Sequence, residues 1–122
     1  MIREIPRLPV LLTELSDKAD ALAVKYERVV VQGMPQIAKD YGSFVPFAGA
    51  RGSLGGHEAA VIVGYDAGRA SARFLLDGSP VDAAQLGAAA GSAEAFHAWM
   101  HSALFMADVR LKSAERRQRD SR

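Results

Sequence analysis

Two histidines, His97 and His101, lie four residues apart in the segment EAFHAWMHSALFMAD. In a helix this spacing places both imidazoles on one face, where they can ligate one zinc or another divalent transition-metal ion. A firm site needs a third ligand and usually a fourth, and the candidates are Glu94 and His57. Histidine pairs at this spacing also arise by chance, and no glutamate base lies between them. We therefore keep the metal site as an alternative and expect no cofactor.

The helix that carries these histidines has an apolar stripe, formed by Phe96, Trp99, Met100, Ala103, Met106 and Ala107. Residues at this three- and four-residue spacing normally face the core of a domain. Leu104 and Phe105 fall on the opposite face, beside His101 and Asp108. A leucine and a phenylalanine together on a polar face indicate that a partner covers them. The sequence thus predicts an interface of Leu104, Phe105, His101 and Asp108, with a second copy or another protein.

A basic surface is the second alternative, because the chain from residue 107 to its end carries six bases and three acids. A two-stranded ribbon and a basic helix can both contact nucleic acid, since arginine binds phosphate and guanine. The candidate residues are Tyr65, Arg69 and Arg73 on the ribbon, with Arg110, Lys112, Arg116 and Arg117 on the helix. The whole chain has a formal net charge of only +1, which argues against a dedicated nucleic-acid-binding protein.

Catalytic motifs are missing from the sequence. The glycine-rich segment AGARGSLGG is followed by a strand pattern and by no Lys-Ser/Thr pair, so it does not match a phosphate-binding loop. No nucleophile elbow is present, and the absence of cysteine excludes thiolate chemistry, disulfides and cysteine-ligated metals. The sequence therefore favours a protein that is not an enzyme.

The elements predicted around these residues form one α+β domain over residues 10–118, between an extended arm at 1–9 and a basic tail at 119–122. A long first helix is expected at about 10–32, because apolar residues recur at helical spacing and Gly33 and Pro35 follow. The segment PQIAKDYG predicts a short helix. In SFVPF the proline allows an edge strand or an extended connection, and we expect a mobile loop at 48–56.

A β-hairpin is predicted from AAVIVGY and RASARFLL, joined by DAG. If Tyr65 lies opposite Arg69, one face is apolar and should meet the helices. That face consists of Ala60, Ile62, Gly64, Ala70, Ala72 and Phe74. A short helix capped by Ser79 should end at Gly91, and a long helix capped by Ser92 should cover residues 93–118.

These patterns together predict a small α+β protein that lacks a membrane-spanning segment and acts in the cytoplasm, since no stretch resembles a secretory signal. One hairpin is too small to cover the apolar stripes of two long helices, so the helices should pair with each other or across subunits. We accordingly expect a non-catalytic, oligomeric interaction or assembly protein.

Overall fold

The structure is a computed structural model that describes residues 7–40 and 42–121. Along the chain, helices precede and follow an antiparallel sheet, which confirms the α+β class and the predicted order of elements. The helices are α1 (Leu8–Lys25), α2 (Glu27–Gly33), a 3-10 helix (Gln36–Asp40), α3 (Ala83–Ala90) and α4 (Ala93–Asp120). The strands are β1 (Val45–Leu54), β2 (His57–Asp66), β3 (Arg69–Leu76) and β4 (Ser79–Val81).

The sheet is a four-stranded antiparallel meander in the order β1-β2-β3-β4. Each connection is a two-residue turn whose residues have positive φ angles: Gly55 and Gly56, Ala67 and Gly68, Asp77 and Gly78. Such turns match the right-handed twist of the strands that they join. Gly55 also tolerates no side chain, because a Cβ atom there would collide with the carbonyl oxygen of Ala89.

The prediction of a mobile loop at 48–56 is wrong, because this segment forms most of β1 and its turn into β2. Its small residues let α4 approach the strand: a Cβ on Gly52 would lie 3.4 Å from the Trp99 ring. Tertiary packing on these glycines outweighs their freedom in isolation. Of the two alternatives predicted for SFVPF, the structure has the edge strand, since Pro46 belongs to β1, the first strand of the sheet.

The predicted hairpin register is wrong by one residue. The structure pairs Tyr65 with Ala70 and Asp66 with Arg69, which leaves only Ala67 and Gly68 in the turn. A slip of one residue moves every side chain to the opposite face of a strand. In β2, Val61, Val63 and Tyr65 therefore meet the helices, while the predicted core residues Ala60, Ile62 and Gly64 lie on the other face. In β3, the predicted core residues Ala70, Ala72 and Phe74 do face the helices.

Helices α1 and α4 pack on one face of the sheet, with α4 mainly over β1 and α1 mainly over β3. Trp99 anchors this layer: its ring is buried and its Nε1 donates a hydrogen bond to the carbonyl oxygen of Ala59 at 3.1 Å. The core also contains Leu15, Leu54, Val61, Leu86, Phe96, Met100 and Leu111. A single apolar layer thus forms between the helices and the sheet.

The first helix differs from its prediction at both ends and in the middle. It begins at Leu8, so residues 8 and 9 are helical and not part of an extended arm. Residues 1–6 of the predicted arm lie outside the described residues. Tyr26 interrupts the helix with φ −108° and ψ 19°, which separates α1 from α2. The interruption directs the Tyr26 side chain into the core, where it is buried.

The helix boundaries near the C-terminus are confirmed in part. Ser79 does not cap α3, because it begins β4; Asp82 caps the helix and forms a capping box with Gln85. Gly91 ends α3 as predicted, and the Ser92 hydroxyl accepts from the Ala95 amide at 3.1 Å. The helix α4 has 28 residues, or about 42 Å. The tail predicted from residue 119 therefore begins as helix.

No helix within residues 7–40 and 42–121 combines the length and the apolarity that crossing a bilayer requires.

Candidate interaction surface

The outer side of α4 exposes three apolar side chains within about one turn. Phe105 is 62% exposed, and Met106 and Val109 are each 39% exposed. Phe105 is thus exposed as predicted, but Leu104 is not, since only 9% of it is accessible. One residue along a helix rotates the side chain by about 100°, which turns Leu104 toward the core. The predicted pair is therefore divided between the core and the surface.

A groove of about 360 Å³ lies between α1 and α4. Its lining on α4 is His97, Met100, His101, Leu104 and Phe105, and its lining on α1 is Glu14, Lys18, Ala21, Leu22 and Lys25. Three of the four predicted interface residues thus line one groove. The Lys18 ammonium lies 2.7 Å from the Glu14 carboxylate and lowers the pKa of that carboxyl. The groove therefore has an apolar floor and a charged rim.

Asp108, the fourth predicted interface residue, is bound within the chain. Its Oδ1 accepts a hydrogen bond from the Tyr26 hydroxyl at 2.6 Å and another from the Lys25 ammonium at 3.2 Å. These two bonds, that of Tyr26 above all, lower the pKa of Asp108. Burial raises the pKa of Tyr26, and Asp108 raises that of Lys25. The cluster ties the end of α1 to the middle of α4.

The predicted metal ligands are not assembled into one site. The rings of His97 and His101 stack with centroids 6.4 Å apart. His57 lies at the start of β2, where its Nδ1 is 2.6 Å from an Asp77 carboxylate oxygen at the turn between β3 and β4. Among the described residues, no group of three or more histidine, aspartate or glutamate side chains could hold a metal ion. His97 and His101 have the spacing of a chelating pair, but neither Glu94 nor His57 completes a metal site with them.

The predicted nucleic-acid surface is divided as well. Tyr65 is in the core, 5% exposed, as a consequence of the true hairpin register. Arg69 and Arg73 stay on the uncovered face of the sheet, where Arg73 binds Asp66 and lies over the Phe44 ring. On α4, Lys112 and Arg116 are exposed. Arg110 and Arg117 are exposed as well, and they border β1.

A groove beside β1 is the feature that sequence reasoning missed. Residues 46–51 line it with Ile62 and with Arg110, Ser113 and Arg117 of α4, and its volume is about 560 Å³. The Arg110 guanidinium donates a hydrogen bond to the carbonyl oxygen of Gly49 at 2.6 Å. The seven-residue spacing of Arg110 and Arg117 was a usable signal, because it places both on one helix face. Because 48–56 was predicted to be a loop, no strand was expected beside these two arginines, and the groove was not predicted.

Comparison with protein-family models, with curated proteins and with solved structures finds no match to this chain. A functional proposal for it therefore depends on the geometry of these surfaces.

Proposed function

We propose that this chain is a non-catalytic interaction and assembly protein that associates with a second copy of itself through the outer side of α4. The observation that carries the proposal is the exposure of Phe105 beside Met106 and Val109. An exposed aromatic residue with apolar neighbours on one helix turn is typical of an association surface. Phe105 also lies near the midpoint of α4, so two copies can pair along nearly the whole helix.

The charges on this side of α4 support a second copy as the partner. Eleven residues span about three helical turns, so Glu94 and Arg116 each lie about 20° from Phe105 around the helix, on either side of it. In an antiparallel pair centred on Phe105, Glu94 would face Arg116 of the partner subunit, and the contact occurs twice by symmetry. Antiparallel packing also sets each acidic helix start against a basic helix end.

The remaining side chains on this side permit close helix packing. Ala98 lies seven residues before Phe105 and Lys112 seven residues after it, so an alanine would meet the lysine stem of the partner. His101 and Val109 lie four residues on either side and would also face each other across the axis. A contact limited to one helix per subunit is small, so we expect a dimer of micromolar affinity.

Sedimentation equilibrium over a wide concentration range tests the proposal. The wild-type chain, of 13.1 kDa, should approach twice that mass at high concentration, and Phe105→Ser should stay monomeric. Val24→Ser is the matched control, because Val24 is 73% exposed on α1 and lies outside the proposed contact. A wild type that stays monomeric, or a Phe105→Ser variant that still dimerises, would contradict the proposal.

A charge exchange sharpens the same test. Glu94→Arg alone should weaken the dimer, because it places like charges opposite each other. Adding Arg116→Glu should restore the association, since the pair is then reversed and not lost. If the double variant dimerises no more tightly than Glu94→Arg alone, the antiparallel arrangement centred on Phe105 is wrong.

The cytoplasmic location expected from the sequence belongs to this proposal and stays a prediction. It agrees with a chain that contains no cysteine, because such a chain needs no oxidising compartment to form disulfides.

A further inference from the structure

Strand β1 has a free outer edge along the groove that residues 46–51 form with Arg110 and Arg117. It pairs with β2 on one side, and within the described residues no other strand pairs with its second side. Residues 46–51 line the groove in unbroken succession, so the backbone itself forms one wall. An edge strand presents unpaired N–H and C=O groups and is a template for another strand.

The contact from Arg110 shows which backbone groups are free. The Gly49 carbonyl oxygen accepts the Arg110 guanidinium from outside the sheet. In an antiparallel strand the N–H and C=O of one residue point the same way, and the direction alternates along the chain. Gly49 and Arg51 therefore direct their backbone groups to the outer edge. An added strand would form hydrogen bonds with both residues, and Arg110 would be released to bind a side chain.

The side chains of the groove select for negative charge. Three arginines, Arg51, Arg110 and Arg117, line it and no acidic residue does. Arg51 is paired with Glu58 at 3.1 Å, but 73% of the Arg51 side chain stays exposed. The arginines also disfavour a second copy of β1 at this edge, because two such strands would bring like-charged rows together.

The position of α4 matches an extended chain. It runs beside β1 in the opposite direction, with Trp99 near Gly52, Arg110 near Gly49 and Arg117 near Phe47. Arg110 and Arg117 are about 10.5 Å apart along the helix axis. Side chains on one face of a strand repeat about every 6.8 Å, so carboxylates two and four residues apart are within reach of the two guanidinium groups.

We propose that this groove binds an extended acidic segment of a partner protein by β-strand addition, with its backbone on Gly49 and Arg51 and its carboxylates on Arg110 and Arg117. A peptide fits better than a nucleic acid, because the edge offers alternating donors and acceptors that match a peptide backbone. The apolar side chains between the acidic ones would point toward the uncovered face of the sheet, where Ile62 lines the groove. This surface is separate from the dimer contact proposed on Phe105 and goes beyond it.

Fluorescence anisotropy with a labelled nine-residue peptide of alternating glutamate and valine tests the proposal at low salt. The wild type should bind it, and the Arg110→Glu, Arg117→Glu double variant should bind about 100-fold more weakly, at about tenfold for each charge-assisted contact. The double variant Arg28→Glu, Arg69→Glu has the same net charge and changes exposed arginines outside the groove. It should bind almost as well as the wild type, and circular dichroism should show that both variants are folded.

A second peptide, N-methylated at alternate residues, separates strand addition from simple charge attraction. It keeps every glutamate but cannot donate backbone hydrogen bonds to the edge, so its binding should be lost. In the wild type, the amide resonances of Gly49 and Arg51 should shift when the unmodified peptide is added.

Four results would overturn the proposal: no binding of the acidic peptide, equal binding of the methylated peptide, equal loss in both double variants, or tighter binding of a twelve-nucleotide oligodeoxythymidine. The last result would assign the groove to nucleic acid. Peptide binding should persist in Phe105→Ser, which has no role in the groove. If the wild type is monomeric and still binds the peptide, the dimer proposal is refuted and the groove proposal is not.

Discussion

Trp99 and Phe105 are aromatic residues on the same helix, yet Trp99 is 4% exposed and Phe105 is 62% exposed. Trp99 faces β1 and β2, where it packs under the sheet and forms a hydrogen bond with Ala59. Phe105 points away from the sheet, on a side of α4 that no further layer within residues 7–40 and 42–121 covers. The difference shows that an apolar residue is a core residue only where another element covers it.

The two faces of the sheet show the same contrast. Val61 and Val63 are covered by α1 and α4, whereas Ile62 lies on the uncovered face beside Phe44 and Leu75. In the part of the chain that the structure describes, helices cover one face of the sheet: α1 and α4 both pack there, and α3 fills the end of the same layer. Exposed apolar groups therefore remain on two sides of the molecule, and both sides are candidates for contact with other molecules.

Trp99→Ala should have the largest effect on the covered side. We expect a loss of about 3 to 5 kcal/mol in the free energy of unfolding, because a buried ring and its hydrogen bond are both removed. Urea unfolding followed by circular dichroism measures the change. Trp99→Phe, which keeps a ring and loses the hydrogen bond, should cost less. If Trp99→Ala left the free energy of unfolding almost unchanged, Trp99 would not lie on the buried side of α4.

Leu104 and Phe105 are neighbours on α4, but Leu104 is buried and Phe105 is exposed. Replacing each by alanine therefore compares the stability contributed by the two sides of the helix. Leu104→Ala should cost about 2 to 3 kcal/mol, because the side chain packs against the core. Phe105→Ala should change the stability of the dilute monomer by less than about 0.5 kcal/mol, since its ring touches mainly solvent. Chemical unfolding at low protein concentration distinguishes the two. Equal costs would mean that Phe105 is covered within the monomer.

The cluster of Asp108, Tyr26 and Lys25, at the border of the covered side, makes a smaller and pH-dependent contribution. Tyr26→Phe should cost about 1 to 2 kcal/mol at pH 7, because the carboxylate loses its closest donor. The pKa of Asp108 is lowered in the folded state, so the ionised carboxylate stabilises the fold at pH values above about 4. This contribution disappears as the pH falls through the folded-state pKa of Asp108.

Urea midpoints of the wild type and Asp108→Asn at several pH values measure that dependence. The wild type should be the more stable of the two at pH 7, and the difference should shrink below pH 4. Asp77→Asn is a useful comparison, because the pKa of Asp77 is also lowered, chiefly by the backbone amide of Glu58. A constant difference between the wild type and Asp108→Asn would contradict the proposed role of the charge.

Much of the fold could be predicted because local signals mark it. Gly33, Gly91 and Ser92 locate helix boundaries, and Phe96, Trp99 and Met100 identify the buried side of α4. The candidate surface was predicted less well. Phe105 and His101 are exposed as expected, but Leu104 is turned toward the core and Asp108 accepts a hydrogen bond from Tyr26 of the neighbouring helix.

The sequence by itself determined the class of the fold and the order of the helices, because helical periodicity and capping residues act over a few neighbouring residues. Only the tertiary structure decided the hairpin register, the strand at 48–54 and the groove between that strand and Arg110. Shifting a register by one residue leaves the local pattern almost equally favourable. The burial of Val61, Val63 and Tyr65 beneath the helices selects one register, and that energy exists only after the layers have packed.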